Sequence, residues 1–484
     1  MINFRMICRI MGFLLYIEAG ILAACSCFGF FFHEADMHAF LLSAGVTVLA
    51  SGIFSFVGRK AERRLGRRDG YFIVVVAWVL FSLFGMLPFL MSGSVSNLTD
   101  AFFETMSGFT TTGATIFADV EVLPHGILFW RCLTQWIGGL GIVFFTIAVL
   151  PVFGVGGMKM FAAEATGTSY QKISPRIEVT ARWIWSIYLL LTLAETGLLY
   201  MAGMDWFDSV CHALATTATG GFSTYNASVA AFHSPLIEYI IMLFMLLSGV
   251  NFSLLYFSLF RFNMKRLWRD TEVRYYLFLV VALGTFIGLG LFFTSPLDFE
   301  ESLRESFFQV ISVLTTTGFE TADFRRWTQL LWACLPLVMF FGACSGSTSG
   351  GIKCIRLAIM VKATQNQFRR ILHPNAVLPI RISGQVVSQN IRSAVLGFTF
   401  VYIFIVACAW FFFIAFGIHY RDSFGLVMCC ISNVGAALGV DGPISDLGSI
   451  SVVAKWLCSF LMLIGRLELF SVLLLFSPDF WNKR

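Results

Sequence analysis

Long apolar stretches alternate with short polar ones along nearly the whole chain. Crossing a bilayer takes about 20 mostly apolar residues, and ten stretches approach that length: 8–32, 38–58, 71–91, 126–150, 180–202, 235–260, 272–294, 328–360, 394–418 and 451–477. The polar positions between them are ordered. Four segments of about a dozen residues open on an acid, at Asp100-Ala101-Phe102, Asp208-Ser209-Val210, Glu305-Ser306-Phe307 and Asp422-Ser423-Phe424. They close on Thr110-Thr111-Thr112-Gly113, Thr217-Ala218-Thr219-Gly220, Thr315-Thr316-Thr317-Gly318 and the degenerate Ser432-Asn433-Val434-Gly435. Acid and glycine are 13, 12, 13 and 13 residues apart, and successive glycines 107, 98 and 117. Repeats of this kind fix the architecture before any single residue does.

Each unit reads as a short helix followed by a polar turn. An acid at the helix start caps free N–H groups and suits the positive end of the helix dipole. The far end presents partial negative charge to the turn, where glycine permits backbone angles that turn carbonyls inward. Twelve helical residues reach about 18 Å, short of a hydrocarbon core of about 30 Å, so each segment dips in and returns. Irregular backbone survives at that depth only if buried in protein or lining water. The four turns are therefore expected around one axis, where rings of carbonyls replace a cation's water shell.

The expected fold is an all-α multi-pass membrane protein, an N-terminal two-helix hairpin plus four helix–pore-loop–helix repeats around one central ion pore. Its divisions are 1–69 for the hairpin and a basic loop, then repeats at 70–178, 179–270, 271–392 and 393–484. Composition agrees: 58% of residues are hydrophobic and 13% charged, about half the charged share of a soluble protein, roughly 25%. Basic residues mark the cytoplasmic side. They crowd at Arg59, Lys60, Arg63, Arg64, Arg67 and Arg68, at Arg261, Lys265, Arg266 and Arg269, and at Lys353, Arg356, Lys362, Arg369, Arg370 and Arg381, with Lys159, Lys172 and Arg176 in the remaining internal loop. The stretches 92–125 and 203–236 hold neither Lys nor Arg. Both termini are thus expected inside and all four turns opening from outside. The basic runs either fix this orientation or meet a partner or anionic lipid; no nucleic-acid partner is expected. The first apolar run lacks a small-residue cleavage site and reads as a retained helix. The 12 cysteines form no CxxC pair, so neither a zinc site nor a redox motif is supported.

With these motifs the chain resembles the TrkH/KtrB potassium-uptake proteins of the Trk/Ktr/HKT superfamily over nearly its whole length. The resemblance rests on the four units with Gly113, Gly220, Gly318 and Gly435, on Gly220-Gly221-Phe222-Ser223-Thr224, and on Gly346-Ser347-Thr348-Ser349-Gly350-Gly351-Ile352-Lys353. The extra hairpin is similar to the TrkH branch. Asn433 and Val434 depart from the threonine pattern of the other turns. The resemblance implies K⁺ as the ion and a filter of Thr111, Thr112, Gly113, Thr219, Gly220, Thr316, Thr317, Gly318, Asn433, Val434 and Gly435. It also implies a homodimer in the inner membrane, each subunit with its own pore, and a cytosolic TrkA-like ring of RCK nucleotide-binding domains. This chain itself shows no P-loop, and no organic cofactor is expected.

Two further features stand out. The span 328–360 is interrupted at residues 342–351, with Gly342, Gly346, Gly350, Gly351 and four Ser/Thr in ten residues. That run reads as a movable intramembrane gate or as a static kink satisfied by its own hydroxyls. The same residues mimic a nucleophile elbow written with Cys344, but no histidine follows until His373, and no enzyme is expected. Arg466 lies deep in the last span, where a charge is costly and usually functional. It either holds the interruption through backbone carbonyls and opposes cations, or merely pairs with Glu468 or snorkels to the inner interface. The rival function is an ion-coupled (H⁺ or Na⁺) secondary transporter, for which Glu195 is the obvious midspan acid; a scaffold that only recruits a partner gives no reason for four turns.

Overall fold

The computed structural model describes residues 2–34, 36–62, 65–139, 141, 177–322, 327–435, 438–439, 442–443 and 447–482. Lys159, Lys172, Arg176, Arg63, Arg64 and the distal part of the 126–150 stretch lie outside the described residues.

The hairpin comprises Phe4–Phe31 and Asp36–Val57. Asn3 opens it by accepting from the Met6 N–H at 3.2 Å. Small residues let the two helices touch. A β-carbon at Gly12 would lie 2.9 Å from the Ser55 nitrogen, and Ser51 Oγ donates to the Gly12 carbonyl at 2.5 Å. Packing of this kind replaces the hydrophobic drive that lipid cannot supply. The outer face is apolar and open, with Leu49, Ile53 and Phe56 exposed. The chain is thus apolar outside and holds its polar groups inside.

Among the described residues, six helices are long and apolar enough to cross a membrane: Phe4–Phe31, Asp36–Val57, Arg68–Met91, Ala181–Met201, Thr271–Thr294 and Gln389–Ala415. Two expected spans are broken. Pro235–Ser248 and Phe252–Leu259 meet at 107°, and Val452–Arg466 meets the Phe470–Phe476 stretch at 112°. At the first break Asn251 Oδ1 accepts from the Ser253 N–H at 2.8 Å and starts a new helix. At the second, Glu468 and Leu469 both have positive φ, 55° and 53°, which no helix tolerates. The 328–360 stretch is interrupted as expected: Gln329–Phe340 ends, and Cys354–Leu372 begins after an irregular passage. Among the described residues, strand pairing is limited to two ladders of two-residue strands, Arg381–Ile382 with Gln385–Val386 and Leu438–Gly439 with Gly442–Pro443, and one isolated bridge between Phe341 and Ile352.

The half-length segments form Leu98–Phe109, Trp206–Ala218, Phe299–Leu314 and Tyr420–Ser432. The acids singled out in the sequence do not cap them. Asn97, Asp205 and His419 accept the first N–H bonds, while Asp100, Asp208 and Asp422 stand in the first turn. The third helix starts earlier, after Asp298, so Glu305 lies mid-helix. Asp100 instead pairs with Lys455 at 2.5 Å, and Asp208 accepts from Thr224 at 2.7 Å. These helices occupy the centre: from Gly425 to Ser432 every residue of the fourth is buried.

Close approach limits what the centre accepts. A β-carbon at Gly138, near the end of His125–Gly139, would overlap the Phe109 carbonyl oxygen and lie 2.7 Å from its carbon. Gly138→Ala is therefore expected to destabilise the protein by about 1–3 kcal/mol through overpacking, read as a lower thermal unfolding midpoint in detergent; an unchanged midpoint contradicts the packing described here.

Candidate functional site

The four turns share one backbone shape. After each of these short helices the chain reverses, and Thr111, Thr219, Thr316 and Asn433 have φ of 51°, 55°, 60° and 56°. Left-handed backbone is uncommon for β-branched residues. Two positions on, Gly113, Gly221 and Gly318 have φ of 83°, 77° and 85°. The sequence pattern aligned Gly220 with Gly113; the geometry aligns Gly221. With that shift the acid-to-glycine distance from Asp208 becomes 13, as in the other three repeats. Gly220 takes the place held by Thr112, Thr317 and Val434. The one short count in the sequence was the available signal.

The turns meet one another in succession. A β-carbon at Gly113 would overlap the Gly220 carbonyl oxygen, and one at Gly221 would overlap the Thr317 carbonyl oxygen. One at Gly435 would lie 2.7 Å from the Thr112 carbonyl oxygen. Each of these glycines thus abuts the carbonyl of the preceding position in the next repeat: fourth to first, first to second, second to third. Only glycine leaves room for this. Side chains of the ring are spent on holding it. Thr110 and Thr112 hydroxyls lie 2.8 Å apart, as do Thr315 and Thr317. Asn433 Nδ2 donates to Thr112 Oγ1 and to the Met462 carbonyl, each at 3.0 Å. Gln135 Nε2 donates to the Gly220 carbonyl at 2.7 Å and its Oε1 accepts from the Phe222 N–H at 3.0 Å. Thr219 Oγ1 donates to the Ala218 carbonyl at 2.7 Å. Val434 is fully buried.

Directly against this ring lies the irregular passage 342–351. Its Gly350 N–H donates to Thr316 Oγ1 at 2.7 Å, and Thr348 Oγ1 donates to the Thr217 carbonyl at 3.2 Å. A β-carbon at Gly350 would overlap the Ser432 carbonyl oxygen and lie 3.1 Å from Asn433 Cβ. The passage therefore touches repeats two, three and four. Gly346 and Gly351 have φ of 75° and 63°. At its neck, a β-carbon at Gly342 would overlap the Gly350 carbonyl oxygen.

Charged and polar groups hold the passage from outside it. Arg466 Nη1 donates to the Thr348 carbonyl and Nη2 to the Gly138 carbonyl, each at 2.7 Å. Glu468 pairs with Arg356 at 2.5 Å instead. The Arg466 guanidinium thus meets backbone carbonyls of two separate segments. Lys353 Nζ donates to the Ser349 carbonyl. Asn251 Nδ2 donates to the Ser345 carbonyl at 2.6 Å. Glu272 accepts from the Ser345 N–H at 2.6 Å and from the Ile355 N–H at 3.2 Å. The sequence pattern pointed to Arg466 but not to Glu272, Lys353 or Gln135. Lys353 stood in a basic run and Glu272 at the start of a span, where neither looks buried; both are. Glu195 is likewise buried, on Ile177–Met201. Among the described residues, no group of three or more His, Cys, Asp or Glu side chains is placed to hold a metal ion, and all 12 cysteines are free.

Comparison with known proteins gives a consistent result. The family model "TrkH: Cation transport protein" matches residues 37–483. The Trk system potassium uptake protein TrkH of Salmonella typhimurium is 38% identical, with 99% of this chain and 100% of that protein covered. The Trk system potassium uptake protein TrkG of Escherichia coli is 36% identical, with 99% of each covered. The crystal structure of the potassium transporter TrkH from Vibrio parahaemolyticus superposes with a TM-score of 0.90 at 34% identity, covering 99% of this chain and 100% of that one. By this full-length match in sequence and fold, the chain belongs to the TrkH family of cation transport proteins.

Proposed function

We propose that this membrane protein takes up potassium across the cytoplasmic membrane, through a filter lined by backbone carbonyls of the four turns and closed by the passage at 342–351. The observation that carries the reading is the succession of glycine-to-carbonyl approaches, fourth turn to first, first to second and second to third, which supports an arrangement of four chemically similar turns around one axis. Carbonyls so held replace a cation's hydration shell. Each pore helix points its C-terminal end at the same place, and its partial negative charge favours a cation. The relatives named for potassium uptake support the choice of ion. Both termini are assigned to the cytoplasm from the basic loops. The homodimer and the cytosolic TrkA-like RCK subunit follow from the family resemblance. Reversal potentials of the purified protein in liposomes under K⁺ and Na⁺ gradients test the reading and separate passive conduction from H⁺- or Na⁺-coupled transport. A reversal potential that follows the proton or sodium gradient instead of the potassium gradient overturns it.

The filter assignment predicts that Gly113→Ser, Gly221→Ser and Gly318→Ser weaken K⁺ over Na⁺ discrimination in protein that still inserts and folds. Permeability ratios unchanged in all three remove the assignment.

The passage at 342–351 is assigned as the gate because it lies against the ring and is held by a few bonds from other helices. Deleting several of its residues is expected to raise basal cation flux in the absence of the cytosolic subunit. Flux still dependent on that subunit at its original level favours a static kink.

Arg466 is assigned to hold the gate shut. An arginine keeps its charge in a protein, so its field opposes a cation beside it for as long as Thr348 keeps it there. Arg466→Ala is expected to raise K⁺ flux, and Arg466→Lys to be intermediate because lysine keeps charge but loses the planar fork. Carbonyls left unpaired cost about 1–3 kcal/mol, so flux is normalised to folded protein. Glu468→Ala is expected to differ from Arg466→Ala; the same phenotype in both makes the arginine part of a structural charge cluster only.

A further inference from the structure

One buried ion pair lies outside everything assigned so far. Arg131, on His125–Gly139, and Glu104, in the first pore helix, have side-chain exposures of 2% and 0%. Arg131 Nε donates to Glu104 Oε1 at 2.8 Å. Its Nη2 donates to Thr115 Oγ1 at 3.1 Å and its Nη1 to the Ser223 carbonyl at 3.3 Å. Glu104 also accepts from Thr115 Oγ1 and from the Ile116 N–H, both at 3.0 Å. The guanidinium carbon sits 4.2 Å from the centre of the Phe222 ring. The pair thus binds two segments, Thr115 and Ile116 just past the first turn and Phe222 and Ser223 just past the second. One helical turn from Arg131, Gln135 clamps Gly220 and Phe222. Residues at i and i+4 share a helix face, so one face of a first-repeat helix grips the second repeat's turn.

A buried ion pair is a poor way to gain stability, since apolar residues of similar volume do as well or better. What it adds is fixed geometry: a planar fork with five donors in set directions. We propose that Arg131 and Glu104 are a positioning pair that holds the first and second filter segments at the separation where Gly113 meets the Gly220 carbonyl, and so sets cation discrimination. Neither residue touches the ion. The inference rests on the filter reading above. The two partners divide the task. The fork sets spacing, and the carboxylate cancels a positive charge that otherwise stands beside the outer approach to the ring.

The full-length protein in liposomes tests this, with reversal potentials giving the Na⁺/K⁺ permeability ratio and flux against K⁺ concentration giving half-saturation. Arg131→Met is expected to raise the Na⁺/K⁺ ratio by roughly tenfold, the scale of a sub-ångström misplacement of binding groups. Glu104→Gln leaves the guanidinium uncompensated and is expected to raise the half-saturating K⁺ concentration by roughly tenfold. In the double variant Arg131→Met with Glu104→Leu, half-saturation returns to the parental value while the ratio stays raised. A purely structural pair lowers the unfolding temperature in each variant with the ratio unchanged; a folded Arg131→Met protein with the parental ratio overturns the proposal. If Arg131→Met does not assemble, Arg131→Lys and Glu104→Asp decide, and a parental ratio in both overturns it. Gly113→Ser is the control. A changed ratio there beside unchanged ratios in the pair variants sinks the pair alone, and an unchanged ratio throughout sinks the filter reading with it.

Discussion

A backbone N–H or C=O without a partner in an apolar surrounding costs several kcal/mol, and this membrane protein interrupts its helices many times. Four half-length helices end among buried residues, and further breaks fall at residues 249–251, 341–353 and 467–469. The breaks satisfy one another. The Gly249 carbonyl accepts from the Cys344 N–H at 3.0 Å, and the Gly346 carbonyl from the Phe252 N–H at 3.1 Å. Segments of the second and third repeats thus bond each other's interrupted backbone.

Where backbone is not enough, buried charges complete the bonding. Arg466 and Lys353 donate to carbonyls of the 342–351 passage, and Glu272 accepts N–H groups from Ser345 within it and from Ile355 beyond it. Arg131 and Glu104 do the same for the strips beyond the first two turns. Each charge meets permanent partners, which is how an ionisable group survives at membrane depth. Such a site is sensitive, because losing one group strands several others.

The four repeats share backbone shape and differ in what holds it. Left-handed backbone recurs at Thr111, Thr219, Thr316 and Asn433. Strain of this sort costs on the order of 1–3 kcal/mol per residue and persists where surroundings over-determine it. The surroundings are not repeated. Gln135 supports the second turn, Gly350 bonds Thr316 in the third, and Asn433 ties the fourth to the first. Gly435 lacks the positive φ of Gly113, Gly221 and Gly318, which matches the loss of threonines in that turn.

Much of this was legible in the order of residues. Apolar length marked the six helices long enough to cross among the described residues, since bilayer thickness sets a simple ruler. Glycine and threonine spacing marked the turns, because only glycine leaves room where backbones approach this closely. The interruption at 342–351 stood out for the same reason. The rest needed the tertiary structure. The sequence aligned Gly220 with Gly113, and close approach to the Thr317 carbonyl identifies Gly221. Breaks at Gly249 and Glu468 were read as continuous spans, since one glycine or one acid does not decide a break without the partner that satisfies it. Asp100 and Asp208 suggested caps, yet their side chains bond Lys455 and Thr224 from distant segments. Arg466 was visible as a costly charge, whereas Glu104, Arg131, Glu272 and Lys353 passed as ordinary polar residues near segment ends. Local pattern shows which groups lack a partner within their own helix. Which distant residue supplies that partner is decided only when the repeats close on one another.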